Sequence, residues 1–282
     1  MKRILVTGAT GRVGRQVVSQ LLATGAAVRA LSRNPDAAGL PADVEVVRGD
    51  LTVPATLEGC LGGIEAVFLV WAAAADAAPA AVDRMAQQAR RIVYLSAPHR
   101  TPHPFFQQPN PMAARHAAIE RLIEASGLQW TFLRPGMFAA NALAWWAPQI
   151  RAGDVVRWSY AAAPTAPIDE RDVAAVAVRA LLEDGHDQAE YVLTGPQSLD
   201  QREQVVTIGD VIGRPLRYEE MSPEEALREW SAPAPVVTML LNAWAAALGQ
   251  PALVTSTVQE VTGIPARTFR AWVTDHAEEF RG

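Results

Sequence analysis

Lysine is almost missing from this chain. Lys2 is the only one in 282 residues, and arginine supplies the rest of the basic charge. Chemistry that needs a lysine anywhere but the extreme N-terminus is excluded. Cysteine is equally scarce: Cys60 stands alone, so neither an internal disulfide nor a multi-cysteine metal site can form. One thiol suits a reducing compartment, and the expected location is cytoplasmic. The net charge of −5 gives no basic footprint for nucleic acid and no polybasic patch for a membrane surface, so neither is expected as a partner. No apolar run approaches the roughly 18 residues of a membrane span. The short apolar run after Arg3 leads into glycines rather than a cleavage site, which speaks against a signal peptide.

What is present is enough for a large core, with 50% hydrophobic and 20% charged residues. The first 135 residues alternate short β-rich runs with helix-length segments, the pattern of a parallel sheet wrapped by helices. Strands are expected at Ile4–Val6, Val28–Leu31, Val44–Val47, Ala66–Val70, Ile92–Ser96 and Trp130–Leu133, and helices at Val13–Thr24, from Pro54, at Pro79–Gln88 and at Met112–Ala125. Beyond Pro135 the regularity fades. A helix over Phe138–Ile150, another over Asp172–Leu182 with Asp172 as its cap, a strand at Tyr191–Leu193, a helix at Glu203–Ile212 and two or three final helices are expected. The fold class is α/β: a Rossmann-type doubly wound parallel sheet with helices on both faces. A smaller, mostly helical C-terminal region lies on the substrate side. The chain reads as one unit, with residues 1–135 as dinucleotide-binding core and 136–282 as an integrated lid.

The segment Gly8-Ala9-Thr10-Gly11-Arg12-Val13-Gly14 has the spacing G-x-x-G-x-x-G directly after a strand and before a helix. Gly8 permits a sharp turn, Gly11 lets a pyrophosphate approach the backbone, and Gly14 lets helix and strand pack closely. Thr10 and Val13 then lie at the positive end of a helix beside the pyrophosphate, and Arg12 is placed to help at a ribose 2′-phosphate. An NAD site usually carries an acid after the second strand; here Leu31 is followed by Ser32 and Arg33. A guanidinium at that place suits a ribose 2′-phosphate, so NADP(H) is the expected cofactor.

With those residues in view, the chain resembles the atypical short-chain dehydrogenase/reductases of the NmrA-like group, which includes bacterial NAD(P)H-dependent quinone and dye reductases. The likeness rests on the glycine turn, Gly49-Asp50-Leu51, Val93-Tyr94-Leu95-Ser96-Ala97, His116 with Glu120, Leu133-Arg134-Pro135-Gly136-Met137-Phe138 with Asn141, Ile168-Asp169 with Asp172-Val173-Ala174, and Val261-Thr262-Gly263-Ile264-Pro265-Ala266. It implies that Asp50 and Leu51 lie at the adenine, that the loop after Val70 passes the nicotinamide ribose, and that Pro135, Met137 and Phe138 flank the nicotinamide.

Many reductases of this kind protonate a carbonyl with a tyrosine assisted by a lysine four residues on. That pattern, laid on the helix through Glu120, puts His116 at the lysine and Met112 at the tyrosine, so the pair is absent. His116 and Ser96 are the best polar candidates beside the reaction. Trp71, His99, Phe105, Phe106, Asn141, Trp145 and Trp158 are expected to line an apolar pocket for a planar ligand. His99 and His103 lack a local carboxylate, and no metal is expected.

The function these residues support is NADPH-dependent hydride transfer to an aromatic, quinone-like or enone small molecule, by a monomer or homodimer. The arginine-rich, lysine-poor composition fits a GC-rich bacterial genome and specialised metabolism. Two other classes remain open at this level: a non-catalytic NADP(H) sensor, and a non-redox isomerase or cyclase on the same fold.

Overall fold

The computed structural model describes residues 2–282. Its elements in chain order are β1 (Arg3–Val6), α1 (Arg12–Ala23), β2 (Ala27–Ser32), β3 (Glu45–Arg48), α2 (Glu58–Leu61), β4 (Ala66–Leu69), α3 (Ala78–Gln88), β5 (Arg91–Leu95), α4 (Pro111–Glu124) and β6 (Gln129–Pro135). They continue as α5 (Asn141–Trp145), α6 (Ala147–Ala152), β7 (Val155–Trp158), β8 (Pro164–Thr165), α7 (Glu170–Leu182), β9 (Ala189–Leu193), β10 (Leu199–Asp200) and α8 (Gln201–Ile212). Last come β11 (Arg217–Glu220), α9 (Pro223–Glu229), α10 (Ala234–Ala247), α11 (Thr257–Thr262), α12 (Phe269–Asp275) and α13 (Ala277–Arg281).

Seven strands form one sheet in the order β3-β2-β1-β4-β5-β6-β9, every neighbouring pair parallel. Side chains alternate across a strand, and here both faces are covered. Ile4 and Val6 join the core under α1 and α7, while Leu5 between them joins the core under α2, α3 and α4. Strand β5 does the same, with Val93 on the first side and Ile92 and Tyr94 on the second. This is the doubly wound α/β fold expected from the alternating pattern. In such sheets ligands sit at the carboxyl ends of the strands, where the order reverses beside β1.

The C-terminal part builds a third core from Trp146, Trp158, Trp244, Phe269, Trp272 and Phe280. Two small strand pairs brace it, β7 with β11 in parallel and β8 with β10 antiparallel. None of these four strands was expected. The helix read over Phe138–Ile150 is two short helices: Phe138 instead bridges Ile168, and Pro148 sits in the first turn of α6, where a missing N–H costs nothing. Five helices, not two or three, finish the chain after Met221. The cap of α7 also differs from expectation. Asp169 accepts the Arg171 N–H at 2.8 Å, whereas Asp172 lies buried inside the first turn, accepts the Arg267 N–H at 2.7 Å and pairs with the Arg267 guanidinium. No helix among the described residues is long and apolar enough to cross a membrane.

Candidate active site

The turn after β1 is shaped by what its glycines leave out. Gly8 has φ +59°, and a Cβ there would meet Val70 Cβ at 2.8 Å. A Cβ on Gly14 would stand 2.1 Å from the Gly8 carbonyl oxygen, so α1 packs against the turn only because that carbon is missing. Gly11 is the N-cap of α1 with no side-chain cap, which leaves first-turn N–H groups for an anion. Arg15, which the sequence reading passed over, ties this turn to the loop after β2. Its Nε donates to Thr10 O at 3.0 Å, Nη1 to Gly39 O at 2.7 Å and Nη2 to Ala38 O at 3.1 Å.

A cavity of about 380 Å³ opens beside the turn, lined by Gly8, Thr10, Ser32, Arg33, Asp50, Leu51 and Val70, with Asn34 and Thr52 in addition. Ser32 Oγ accepts the Asn34 N–H at 3.1 Å, which curls the loop so that exposed Arg33 borders the cavity. The Thr52 N–H and hydroxyl, both 2.8 Å from Asp50 Oδ1, hold that carboxyl below its usual value, and Arg33 adds a smaller pull. A cradle of absent Cβ atoms, an uncapped helix start and a cation at the far end fit a dinucleotide.

A second cavity of about 340 Å³ is lined by Gly11, Arg12, Val13 and Gly14 on one side and by Leu95, Phe138 and Asn141 on the other. A third, of about 400 Å³, is mainly apolar. Ser96, His99, Phe105, Phe106, His116, Pro135, Met137, Phe138, Asn141 and Trp145 line it, and α10 closes it with Val236, Met239, Leu240 and Ala243. Phe138 and Asn141 belong to both. The path from the glycine turn to the apolar cavity therefore passes these two side chains. The α10 wall escaped the sequence reading, because an apolar helix looks the same whether it faces core or cavity.

Two expected pocket residues stand elsewhere. Trp71 is 2% exposed and packs in the core under α3 and α4. Trp158 is 4% exposed and stacks on Trp230 with ring centroids 3.8 Å apart. Large indoles are drawn into cores by the area they bury, and a strand-end position does not distinguish the two fates.

Ser96 and His99, which line the third cavity, belong to a network around Glu120, which is completely buried. Ser96 Oγ donates to Glu120 Oε1 at 2.6 Å, Arg134 Nε donates to Oε1 at 3.0 Å, and Arg134 Nη2 to Oε2 at 2.8 Å. Arg134 also pairs with Glu190. His99 donates from Nδ1 to Ala97 O at 2.9 Å, and its Nε2 lies 3.2 Å from Glu120 Oε2 without hydrogen-bond alignment. The Ser96 proton is thus already committed to a carboxylate. His116 stands one helical turn before Glu120, with Nδ1 2.7 Å from the Tyr94 hydroxyl. Burial, then Arg115, pushes the His116 imidazole down to about 4, so it is neutral at pH 7. Met112, where a catalytic tyrosine would stand, is 43% exposed at the cavity edge.

Fold and glycine turn together define a dinucleotide-binding protein. The sequence model of the NAD(P)H-binding family matches residues 8–184, and the chain belongs to that family. It is 41% identical to a (4-alkanoyl-5-oxo-2,5-dihydrofuran-3-yl)methyl phosphate reductase of Streptomyces griseus, over 98% of this chain and 99% of that one. It is 33% identical to an NAD(P)H azoreductase of Xenophilus azovorans, over 98% and 99% of the two chains. Among solved structures, an NADPH-dependent quinone oxidoreductase of Escherichia coli superposes with a TM-score of 0.81 at 26% identity, covering 97% of this chain and 99% of that one. The resemblance to NmrA-like atypical short-chain dehydrogenase/reductases holds, and the chain is an NAD(P)H-dependent oxidoreductase.

Proposed function

We propose that this chain reduces a planar, conjugated small molecule with NADPH, in the cytoplasm, as one integrated unit whose C-terminal region closes the substrate side. The observation that carries the proposal is the junction at Phe138 and Asn141, where the cavity of the glycine turn meets an aromatic-lined cavity. When bound, NADPH supplies hydride from its nicotinamide ring. Gly8, Gly11 and Gly14 would hold its pyrophosphate, Arg33 with Ser32 its 2′-phosphate, Asp50 and Leu51 its adenosine, and Pro135, Met137 and Phe138 one face of its nicotinamide.

The relatives' names supply a common chemistry. An acylated dihydrofuranone, an azo compound and a quinone each present a polarised double bond in conjugation. Such acceptors take hydride readily once donor and acceptor are held close, and need little acid catalysis. A site without a tyrosine–lysine pair suits them. Phe105, Phe106 and Trp145 offer faces for a flat ligand, and α10 adds an apolar wall. Given the 41% identity over nearly full length, an acyl-dihydrofuranone acceptor is the preferred substrate class.

The test is NADPH consumption against a panel of acyl-dihydrofuranones, with and without a phosphate, together with quinones, azo dyes and enones. Turnover of a conjugated acceptor, fastest for an acyl-dihydrofuranone, is expected. Oxidation of NADPH by no member of the panel overturns the proposal.

A further inference from the structure

We infer that Tyr94 is a positioning residue that fixes His116 as a neutral Nε2–H donor for the substrate oxygen that gains charge during reduction. This rests on the reductase reading above and names the group that serves that reaction.

Tyr94 lies inside β5, fully buried, with its ring edge-on to Phe132 at 6.2 Å between centroids. Its hydroxyl has one polar partner among the described residues, His116 Nδ1 at 2.7 Å. A buried O–H left without an acceptor loses its hydration with nothing to replace it. The phenol therefore donates, Nδ1 accepts, and the proton of the neutral ring sits on Nε2. Nε2 has no hydrogen-bond partner among the described residues, and His116 lines the apolar cavity together with Ser96, Phe138 and Asn141. Ser96 has already given its proton to Glu120. The Trp145 indole and the Asn141 amide also line the cavity, but of its N–H donors His116 is the one whose tautomer is fixed from behind by a buried phenol.

The groups around the imidazole keep it neutral. Tyr94 faces it from β5, His99 from the loop that follows, and Arg115 and Glu120 from its own helix. Burial and Arg115 outweigh the opposite pull of Glu120. Burial likewise raises the Tyr94 phenol, which keeps its proton. The order of the usual pair is reversed here: the histidine stands at the cavity, and the tyrosine stands behind it, supplied by the strand rather than the helix. The pair gives a hydrogen bond to a carbonyl oxygen and keeps its own protons; the proton that completes the reduction comes from water.

The first arm needs no substrate. In full-length protein labelled with 15N-histidine, long-range 1H–15N NMR reports the tautomer of His116, whose signal is the one lost in His116→Gln. The expected result is a single neutral Nε2–H tautomer from about pH 5.5 to about 8, becoming a mixture in Tyr94→Phe. An Nδ1–H ring, or an imidazolium at neutral pH, overturns the inference. The second arm uses any acceptor that the wild type reduces. His116→Ala is expected to lower kcat about 100-fold, and His116→Gln to recover part of it through its amide N–H. Tyr94→Phe should lower kcat roughly tenfold with KM and NADPH affinity unchanged. Undiminished kcat in His116→Ala overturns the inference. A wild type that reduces nothing counts against the reductase reading instead, and the tautomer alone then decides this one.

Discussion

Arg134 and Glu120 meet at two points, Nε to Oε1 at 3.0 Å and Nη2 to Oε2 at 2.8 Å, with both side chains out of contact with solvent. The pair joins the end of β6 to α4, and Ser96, just after β5 and in the cavity lining, is fastened to the same carboxylate. The floor of the site is therefore set by one ion pair.

Removing half of that pair leaves a buried carboxylate uncompensated. Arg134→Met is expected to cost about 3–5 kcal/mol in urea unfolding. The double variant Arg134→Met, Glu120→Leu should be less destabilised than the single one, because no fully buried charge is left unpaired; Glu190, the other partner of Arg134, is part-exposed and keeps Arg100. Equal stability of Arg134→Met and wild type would show that the pair does not hold the floor.

Gly14→Ala places a methyl group 2.1 Å from the Gly8 oxygen. Overpacking of this kind costs about 1–3 kcal/mol and moves the turn. Thermal unfolding should shift down, and NADPH affinity should fall further than stability alone explains. Gly59→Ala, with nothing within 4 Å of its added carbon, is the matched control.

Acid sensitivity follows from His116. Its folded value near 4 lies below the ordinary imidazole value of about 6.5, so between those limits the unfolded chain binds more protons and stability falls as pH falls. The loss begins below about pH 6.5, is complete near pH 4 and totals about 3 kcal/mol. In His116→Gln this part of the pH dependence should vanish. Parallel stability curves for the two proteins across that window would refute the burial of a neutral imidazole.

The wall formed by α10 is expected to set acceptor size. Met239 lines the cavity from α10, and Met239→Trp fills part of it. Bulky acceptors should lose about tenfold or more in kcat/KM, with NADPH binding retained. Equal losses in both would place Met239 outside the substrate wall.

Much of this architecture was readable from the residues. Strands β1 to β6 fall within a residue or two of the expected runs, because buried parallel strands are continuous and β-rich. The glycine turn and Arg33 could be read from their places after β1 and β2, and Asp50 from the family resemblance; they border adjoining cavities. The rest depends on contacts distant in sequence. Strands of two residues such as β8 and β10 carry no period to detect. Asp172 reads as the cap of its helix, yet Asp169 takes that place and Asp172 turns to the distant Arg267, a contact no local pattern shows. Tyr94 lies in a strand interior, where its sequence position gives no sign that its phenol reaches a helix residue 22 positions further on. Period two shows which face a side chain takes, not what its far end meets.

The most direct test of the account is a binding titration of NADPH and NADH against the wild type and Arg33→Glu. The predicted result is tighter binding of NADPH than NADH by wild type, with Arg33→Glu losing about 10- to 100-fold for NADPH alone. Equal binding of the two cofactors by wild type, or binding of neither, would contradict the placement of the 2′-phosphate beside Arg33 and the reductase built upon it.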